Sequence, residues 1–383
     1  MIKFFKQGSV RMVTIKRVTN KKDLKKFVKF PISLYRNNEY FVPKYHDDEM
    51  NYFSPNKNDA FTYCESQQFL AYIDKKVVGR ICTIINHRYN NEKKVKQIRF
   101  SRFDTIDDLE VTKALFAAVK EEAIKNELNE IVGPLGFSNL DECGLLVQGF
   151  NHLGDYYNSY NSEYYQEHLQ SIGFIKDFEW NYYRFNVSQE ANTHYDKMSS
   201  FILKKYNLRI KEINKSDNIY QIAIESLKLR AKQNGYKYGY NELTEKQIKT
   251  QAENFKFLLN MQYTYIVVDA NDEIVAFCYA VPSLSKAFKK SSGHSNVISK
   301  LRINKYLNKN DYVYLHSLIV NQKYQNINLE LVIINAIIEK AKENNVIYIC
   351  TGDDMQYNDN FVNSDEFNKE LVKIRCSYKM KIK

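Results

Sequence analysis

The sequence predicts an α/β protein made of two successive halves, each a mixed, mostly antiparallel sheet flanked by helices. Three observations carry that expectation. Short apolar runs with strand-like alternation recur throughout the 383 residues, separated by longer stretches whose apolar residues fall at helical spacing. The order of these elements in residues 1–187 is repeated in 188–383, at a period of roughly 190 residues. Finally, 383 residues exceed what one hydrophobic core usually supports.

In the first half, residues 13–18 alternate as a strand, and Asn20 is placed to cap a helix with the apolar stripe Leu24, Phe27, Val28 and Leu34. Pro31 lies inside that helix and implies a kink or break. A polar, tyrosine-rich arm spans 37–66. Residues 68–74 and 77–86 are strands joined by Lys75-Lys76, and 98–104 is a third. A helix over 108–126 carries Val111, Leu115, Ala118 and Ala123 on one face, and 129–132 is the next strand. After a loop, 163–171 is helical and ends at Gly173-Phe174, ahead of a strand over 178–187.

The second half follows the same plan. A linking helix over 191–206 leads to a strand over 208–213. Helices near 219–230 and 244–260 precede strands 263–269 and 274–282, joined by the turn Ala270-Asn271-Asp272-Glu273. A lysine-rich insert with some helical character fills 285–310. Residues 312–320, 346–350 and 373–383 are strands, and 328–343 is a helix.

Composition narrows the function classes. No run approaches about 18 consecutive apolar residues, and the N-terminus lacks the apolar segment of a signal peptide, so a cytoplasmic protein is expected. The six cysteines form no C-x-x-C pair and are expected to be reduced core residues, with no metal site. The net charge of +11 admits an anionic partner such as nucleic acid, a membrane surface or a phosphate-bearing cofactor. Lys, Asn, Ile and Tyr are all abundant while Gly and Pro are scarce, which an AT-rich coding sequence accounts for. The 30 tyrosines therefore carry little weight for base stacking, and no nucleic-acid partner is expected.

Residues 133–150, GPLGFSNLDECGLLVQGF, hold Gly133, Gly136, Gly144 and Gly149 out of 12 glycines in the chain. Ser138, Asn139, Asp141 and Glu142 lie between those glycines, directly after an apolar strand. That is the pattern of a shaped loop carrying polar chemistry. Asn86 and His87 end a neighbouring strand and are placed to face the same region.

The element order resembles the GNAT acyltransferase superfamily, and residues 133–150 resemble a group of bacterial tandem GNAT-like proteins. In the first half the resemblance rests on Gly79-Arg80-Ile81 with Ile84-Ile85-Asn86-His87-Arg88, on Phe103-Asp104 with Asp107-Asp108, on 133–150, and on Tyr160-Asn161 with Tyr164-Tyr165. In the second half it rests on Val320 with Tyr324, Asp353-Asp354, and Arg375 with Tyr378.

The resemblance implies acyl transfer from a CoA thioester to an amine. That chemistry needs backbone N–H groups at a helix N-terminus for the pyrophosphate, a donor where the oxyanion develops, a base for the amine and an acid for the thiolate. The implied donor site is in the second half, at Leu318, Val320, Lys323, Gln325, Asn326, Ile327, Asn328 and Leu329. It would take acetyl-CoA or a longer acyl-CoA as co-substrate, with no tightly bound cofactor. The superfamily places Arg or Gln and two glycines at this junction. This chain has Gln325, Asn326 and Asn328, and asparagine is the non-glycine residue most tolerant of left-handed backbone. The matching first-half junction has no glycine and three aspartates, Asp104, Asp107 and Asp108, which would repel a pyrophosphate. That half is therefore expected to have a degenerate CoA site and to form the acceptor side.

Candidate bases are Asp353, Asp354 and His316 in the second half, with Asp141 and Glu142 as the first-half equivalents. Acceptor-binding candidates are Asn86, His87, Ser138, Asn139, Tyr164 and Tyr165. The resemblance implies an amine acceptor, a small molecule or a lipid; basic charge and abundant aromatics suit a peripheral enzyme at the inner membrane surface taking a long acyl chain or a lipid amine such as a sphingoid base. The competing expectation is a non-catalytic tandem GNAT-like protein whose CoA sites have decayed and whose cleft binds a ligand or partner.

Overall fold

The computed structural model describes residues 3–4, 12–138, 141–187, 193–211, 213, 217–233, 237–258, 262–352 and 368–382. The first half holds β1 (Lys3–Phe4), β2 (Val13–Arg17), α1 (Lys21–Leu34), α2 (His46–Tyr52), β3 (Cys64–Ile73), β4 (Lys76–Asn86), α3 (His87–Lys93), β5 (Gln97–Thr105), α4 (Leu109–Lys125), β6 (Glu130–Gly133), β7 (Leu145–Gln148), α5 (Tyr164–Ser171) and β8 (Ile175–Asn186). The second holds α6 (Thr193–Lys205), β9 (Arg209–Lys211), α7 (Ile219–Gln233), α8 (Glu245–Leu258), β10 (Thr264–Val268), β11 (Ile274–Pro282), α9 (Ser285–Ser291), α10 (Val297–Asn308), β12 (Tyr312–Val320), a 3-10 turn over Gln322–Ile327, α11 (Leu329–Glu343), β13 (Tyr348–Thr351) and β14 (Glu370–Lys381). No helix among the described residues is long and apolar enough to cross a membrane.

Local chemistry accounts for the entry of α1. The Asn20 side chain accepts from the Asp23 N–H at 2.9 Å, and the buried Asp23 carboxylate takes Lys16 and Lys26 at 2.7 and 3.0 Å. Of the kink or break expected at Pro31, the break does not occur: α1 runs on to Leu34. Proline removes the N–H that would reach the carbonyl of Phe27, and here Arg80 Nη1 donates to that carbonyl instead, at 2.9 Å. The polar stretch after β4 is a helix, α3, and its cap is Asn86, whose side chain accepts from Tyr89 N–H at 2.9 Å.

All the strands belong to one sheet, in the order β1-β2-β3-β4-β5-β6-β14-β8-β13-β12-β11-β10-β9, with β7 paired to β14 off that path. Pairing is antiparallel except for β5 with β6 and β12 with β13. The halves exchange strands. The last strand of the chain, β14, lies between β6 and β8, and β8 lies between β14 and β13. The cores record the same exchange: Cys376 and Tyr378 of β14 pack with α4, whereas Phe185 of β8 packs with α11.

Candidate active site

Each half contains the same break in its sheet. β5 and β6 run parallel from Gln97↔Glu130 to Arg99↔Val132 and then part, as β12 and β13 do after Leu315↔Thr351. A glycine lies at each parting. A Cβ on Gly133 would sit 2.4 Å from the Phe100 carbonyl oxygen, and one on Gly352 would sit 3.1 Å from that of Leu315. On its other side each of β5 and β12 carries one extra residue against its antiparallel neighbour, the register shifting between Arg80 and Cys82 and between Tyr279 and Ala280. Such a bulge bends a strand and re-aims a side chain. In the first half it includes Arg102, with φ +49; in the second it falls at His316.

The first-half gap is closed by paired charge. Arg102 Nε and Nη2 donate to the two Glu49 carboxylate oxygens, both at 2.9 Å, and Nη1 contacts Glu142. Glu142 also receives Ser159 Oγ and lies 3.4 Å from Lys44 Nζ. Burial pushes the Glu142 carboxyl up, but Arg102 and then Lys44 outweigh it and hold the group well below its ordinary value. Nearby, Arg80 Nε donates to Asp104 at 2.6 Å and Tyr35 Oη to its other oxygen at 3.0 Å. Asp141 is half-buried and raised by desolvation, and its carboxylate accepts from Ser138 N–H at 3.0 Å.

The strand edge facing this gap is also occupied. Ile106 N–H donates to Val78 O at 3.0 Å, so antiparallel alternation turns the Thr105 amide the other way, toward the gap. There it donates to Tyr165 Oη at 2.8 Å, while Tyr164 and Tyr165 donate to the Thr105 carbonyl at 2.6 and 3.1 Å. The following helix is capped by Asp108, which accepts from Glu110 N–H at 2.9 Å. Asp107 pairs with His168 at 3.2 Å.

The second-half gap is built differently. Asn321 N–H donates to Val275 O at 2.7 Å, and the same alternation turns the amides of Leu318 and Val320 toward the gap. After the 3-10 turn, Asn328 is left-handed at φ +59, ψ +34, and α11 begins with no side-chain cap from it. The first N–H groups of such a helix have no intrahelical partner and favour an anion. Lys323, Gln325, Asn326 and Asn328 are exposed, Ile327 packs against the second-half core, and Leu329 is buried in it. Asn326 does not take positive φ. Glu330, unremarked in the sequence, is buried in the first turn of α11, where the positive end of the helix favours its carboxylate.

A line of three small cavities, of about 30, 10 and 10 Å³, runs along residues 152–160. The first is lined by Lys44, Glu49, Arg80, Asp104 and Glu142, the second by His152, Asp155, Lys373 and Arg375, and the third by Asp155, Tyr156, Tyr157, Tyr314 and His316. Asn158, Ser159 and Tyr160 line both the first and second; Asp155 lines both the second and third. At the far end the His316 ring lies 4.1 Å from Tyr157, 4.5 Å from Tyr314 and 5.7 Å from Tyr279, centroid to centroid. Burial pushes the Tyr157 hydroxyl up to about 12. Burial also lowers the Lys373 ammonium, against Asp155, and its Nζ donates to Leu153 O at 2.8 Å. Arg375 fixes the wall by donating to the carbonyls of Cys143, Ser159 and Gly144 at 2.9, 2.7 and 2.6 Å.

Among the described residues, the expected acceptor residues do not line these three cavities. Asn86 is buried and donates to Phe137 O at 3.0 Å and Asn241 Oδ1 at 2.9 Å, tying the halves together. His87 is on the surface, 2.9 Å from Glu65. Ser138 is buried beside Asp141, and Tyr164 and Tyr165 seal the Thr105 edge. Glu142 is an ion-paired anion rather than a base. Asn139, Asp353 and Asp354 lie outside the described residues. Sequence reasoning missed Arg102, Glu49, Asp155, Tyr157 and Lys373, since no local pattern marks a strand bulge or the partner of a buried carboxylate.

The duplicated sheet, with β5 and β12 each bulged and then parting from a parallel neighbour, defines the class: this chain has the tandem GNAT fold. The structure of a tandem GNAT protein from the clavulanic acid biosynthesis pathway matches 96% of this chain and 98% of its own, with a TM-score of 0.55 at 10% identity. A GCN5-related glucosamine N-acetyltransferase region of a fungal multi-domain GH3 β-N-acetylglucosaminidase matches 96% of this chain over 38% of its own, with a TM-score of 0.53 at 11% identity. In sequence the chain is similar to Protein YghO of Escherichia coli K12, 24% identical over 282 residues, which is 73% of this chain and 70% of the relative. No protein-family model matches it.

Proposed function

We propose that the protein is an acyl-CoA-dependent N-acyltransferase, with the acyl donor in the second half and an amine acceptor reaching it past residues 152–160, which line the three cavities. The observation that carries this reading is the contrast between the two gaps. Tyr165 occupies the edge amide at Thr105 in the first half, whereas Leu318 and Val320 present theirs, next to a helix that starts at a left-handed Asn328. Amides at Asn328 and Leu329, with Lys323 nearby, suit the pyrophosphate of a CoA thioester, which supplies the activated acyl group. His316, at the bulge, is the base we assign to take the proton from the acceptor nitrogen. Asp353 and Asp354, which follow Gly352 in sequence, are the alternative bases.

We further assign the acceptor to the class of long-chain or lipid amines, a sphingoid base among them, because the basic charge and the abundance of aromatic side chains suit an enzyme working at a lipid surface. The enzyme would then work at the cytoplasmic face of a membrane. Thermal-shift titration with acetyl-, octanoyl- and palmitoyl-CoA tests the donor, and no shift with any of the three overturns the enzyme reading. One observation favours a second reading, a binding protein without catalysis: the Glu330 carboxylate already sits in the first turn of α11. On that reading Glu330→Gln does not raise acyl-CoA affinity; on the enzyme reading, removing a nearby anion raises it.

A further inference from the structure

We propose that the α9–α10 hairpin is a docking surface for an anionic lipid bilayer. Between residues 285 and 310 the chain carries Lys286, Lys289, Lys290, Lys300, Arg302, Lys305 and Lys309 and no aspartate or glutamate. The inner face of α10 is fixed to the protein: Ile303, Tyr306 and Leu307 pack with Val42, Tyr45, Leu284 and Phe288. Its outer face is therefore defined. That face shows Val297, Ile298 and Leu301, exposed by 72, 57 and 65%, where burial of such side chains is the norm.

Cations lie beside this apolar group, together with the exposed Asn304 and Asn308 and, at the start of α10, Asp47, which accepts from Ser295 Oγ at 2.7 Å. Lys300 and Lys305 share the outer face, and Lys309 follows it; all three are exposed. Lys286 is ion-paired, 2.6 Å from Asp311, and Lys289, Lys290 and Arg302 donate to Glu39 O, Tyr306 Oη and Lys290 O, so the outward cations are Lys300, Lys305 and Lys309. Exposed apolar side chains flanked by lysines on a short helix match the boundary of a bilayer with anionic headgroups, which takes the apolar group into its acyl edge and the lysines into its phosphate layer. A nucleic acid would use the lysines and leave the apolar group in water. A neutral protein partner would use the apolar group and leave the charge without a function. α9 starts at Ser285, which lines the cavity at His316, so a docked bilayer would lie on the side of the protein that carries that cavity. The docking itself does not depend on the acyltransferase reading.

Co-sedimentation of the full chain with phosphatidylglycerol-rich and with phosphatidylcholine vesicles, at about 0.1 M salt, tests the surface. Binding is expected to the anionic vesicles alone and to weaken with salt. Replacing Lys300, Lys305 and Lys309 by Gln should weaken it by about a hundredfold, at about fivefold for each lysine. Val297→Ser with Ile298→Ser and Leu301→Ser should weaken it at least about tenfold. All six positions face solvent, so unchanged melting keeps the comparison valid. The proposal is overturned if no vesicles are bound. It is also overturned if the apolar triple variant binds as before, which marks a generic polyanion site, or if that variant instead abolishes a dimer of the chain.

Discussion

Asn328→Val should separate the backbone argument for the donor site from every other account of it. Asn328 is held at φ +59, ψ +34 between the 3-10 turn and α11. An L-residue in that region loses about 1–2 kcal/mol, asparagine least and a β-branched side chain most. If valine keeps the native angles, the chain should lose roughly 1–2 kcal/mol of stability in urea denaturation. If it escapes them, the amides of Asn328 and Leu329 turn out of line, and acyl-CoA affinity should fall by about 5- to 30-fold, the same energy expressed as a binding constant. Asn328→Gly removes the strain and should bind at least as well as the native chain. Asn326→Val is the control, because Asn326 is exposed and not left-handed, and it should stay within about 0.5 kcal/mol. Calorimetric titration with acyl-CoA, beside denaturation of the free protein, reads both quantities. The reasoning fails if Asn328→Val is as stable and binds as tightly as the native protein, or if Asn328→Gly loses both.

Four further outcomes are expected. His316→Gln should lower kcat/KM by about 100- to 10,000-fold with the acyl-CoA Kd unchanged; an equal loss in Kd would remove it as the base. Arg102→Met leaves Glu49 and Glu142 facing each other in a buried gap and should cost about 3–5 kcal/mol in denaturant unfolding, partly recovered by adding Glu142→Gln; a neutral effect would mean water already screens the pair. Because the folded-state pKa of Glu142 is depressed, its contribution is present in full above the unfolded value of about 4.3 and is lost as pH falls from there through the folded value. Glu142→Gln should therefore flatten the acid limb of the stability curve, and an unchanged limb would assign acid loss elsewhere. Tyr165→Phe strips a partner from the buried Thr105 amide, costing about 1–3 kcal/mol, yet acyl-CoA stoichiometry should stay at one per chain, since Asp108 still caps α4; calorimetry showing a second site would contradict the closed first half.

Much of the fold was legible because alternation and helical spacing are local signals. The strands at 77–86 and 312–320 and the helix over 108–126 agree with β4, β12 and α4 to within a residue or so. α3 was not legible: it buries no residue, so it has no apolar stripe, and it is held by the Asn86 cap and by Tyr89 under the Arg99 guanidinium, 4.6 Å away. Nor was the strand exchange. An apolar run announces a strand but not its neighbour, and β8 and β14 could each have completed their own half. The glycines of 133–150 marked a tightly shaped loop, and the shape serves packing. A Cβ on Gly149, at φ +88, would meet the Val372 carbonyl at 2.2 Å. Asp141 and Glu142 resembled site residues because a carboxylate between glycines looks the same in sequence whether it meets substrate or a distant arginine. Asn328 was legible because the need for left-handed backbone narrows the residue type itself.

The two halves differ where a duplicated fold leaves room to differ. Both keep the bulge and the glycine at the parting strands, so that geometry alone does not decide which half acts. What differs is the group that meets each strand edge. In the first half Tyr165 satisfies the Thr105 amide, and Arg102 fills the bulge as the hub of a buried ion cluster. In the second, His316 holds the bulge among aromatic rings, and Leu318 and Val320 face the gap. The first-half loop of residues 152–160 is fastened by Arg375 and Lys373 from β14. β14 belongs to the second half by sequence and to the first by pairing. Strand exchange thus ties residues 152–160 to the last strand of the chain, and the Asn86–Asn241 hydrogen bond and the packing of Val42 and Tyr45 on Leu284 and Phe288 join the halves elsewhere.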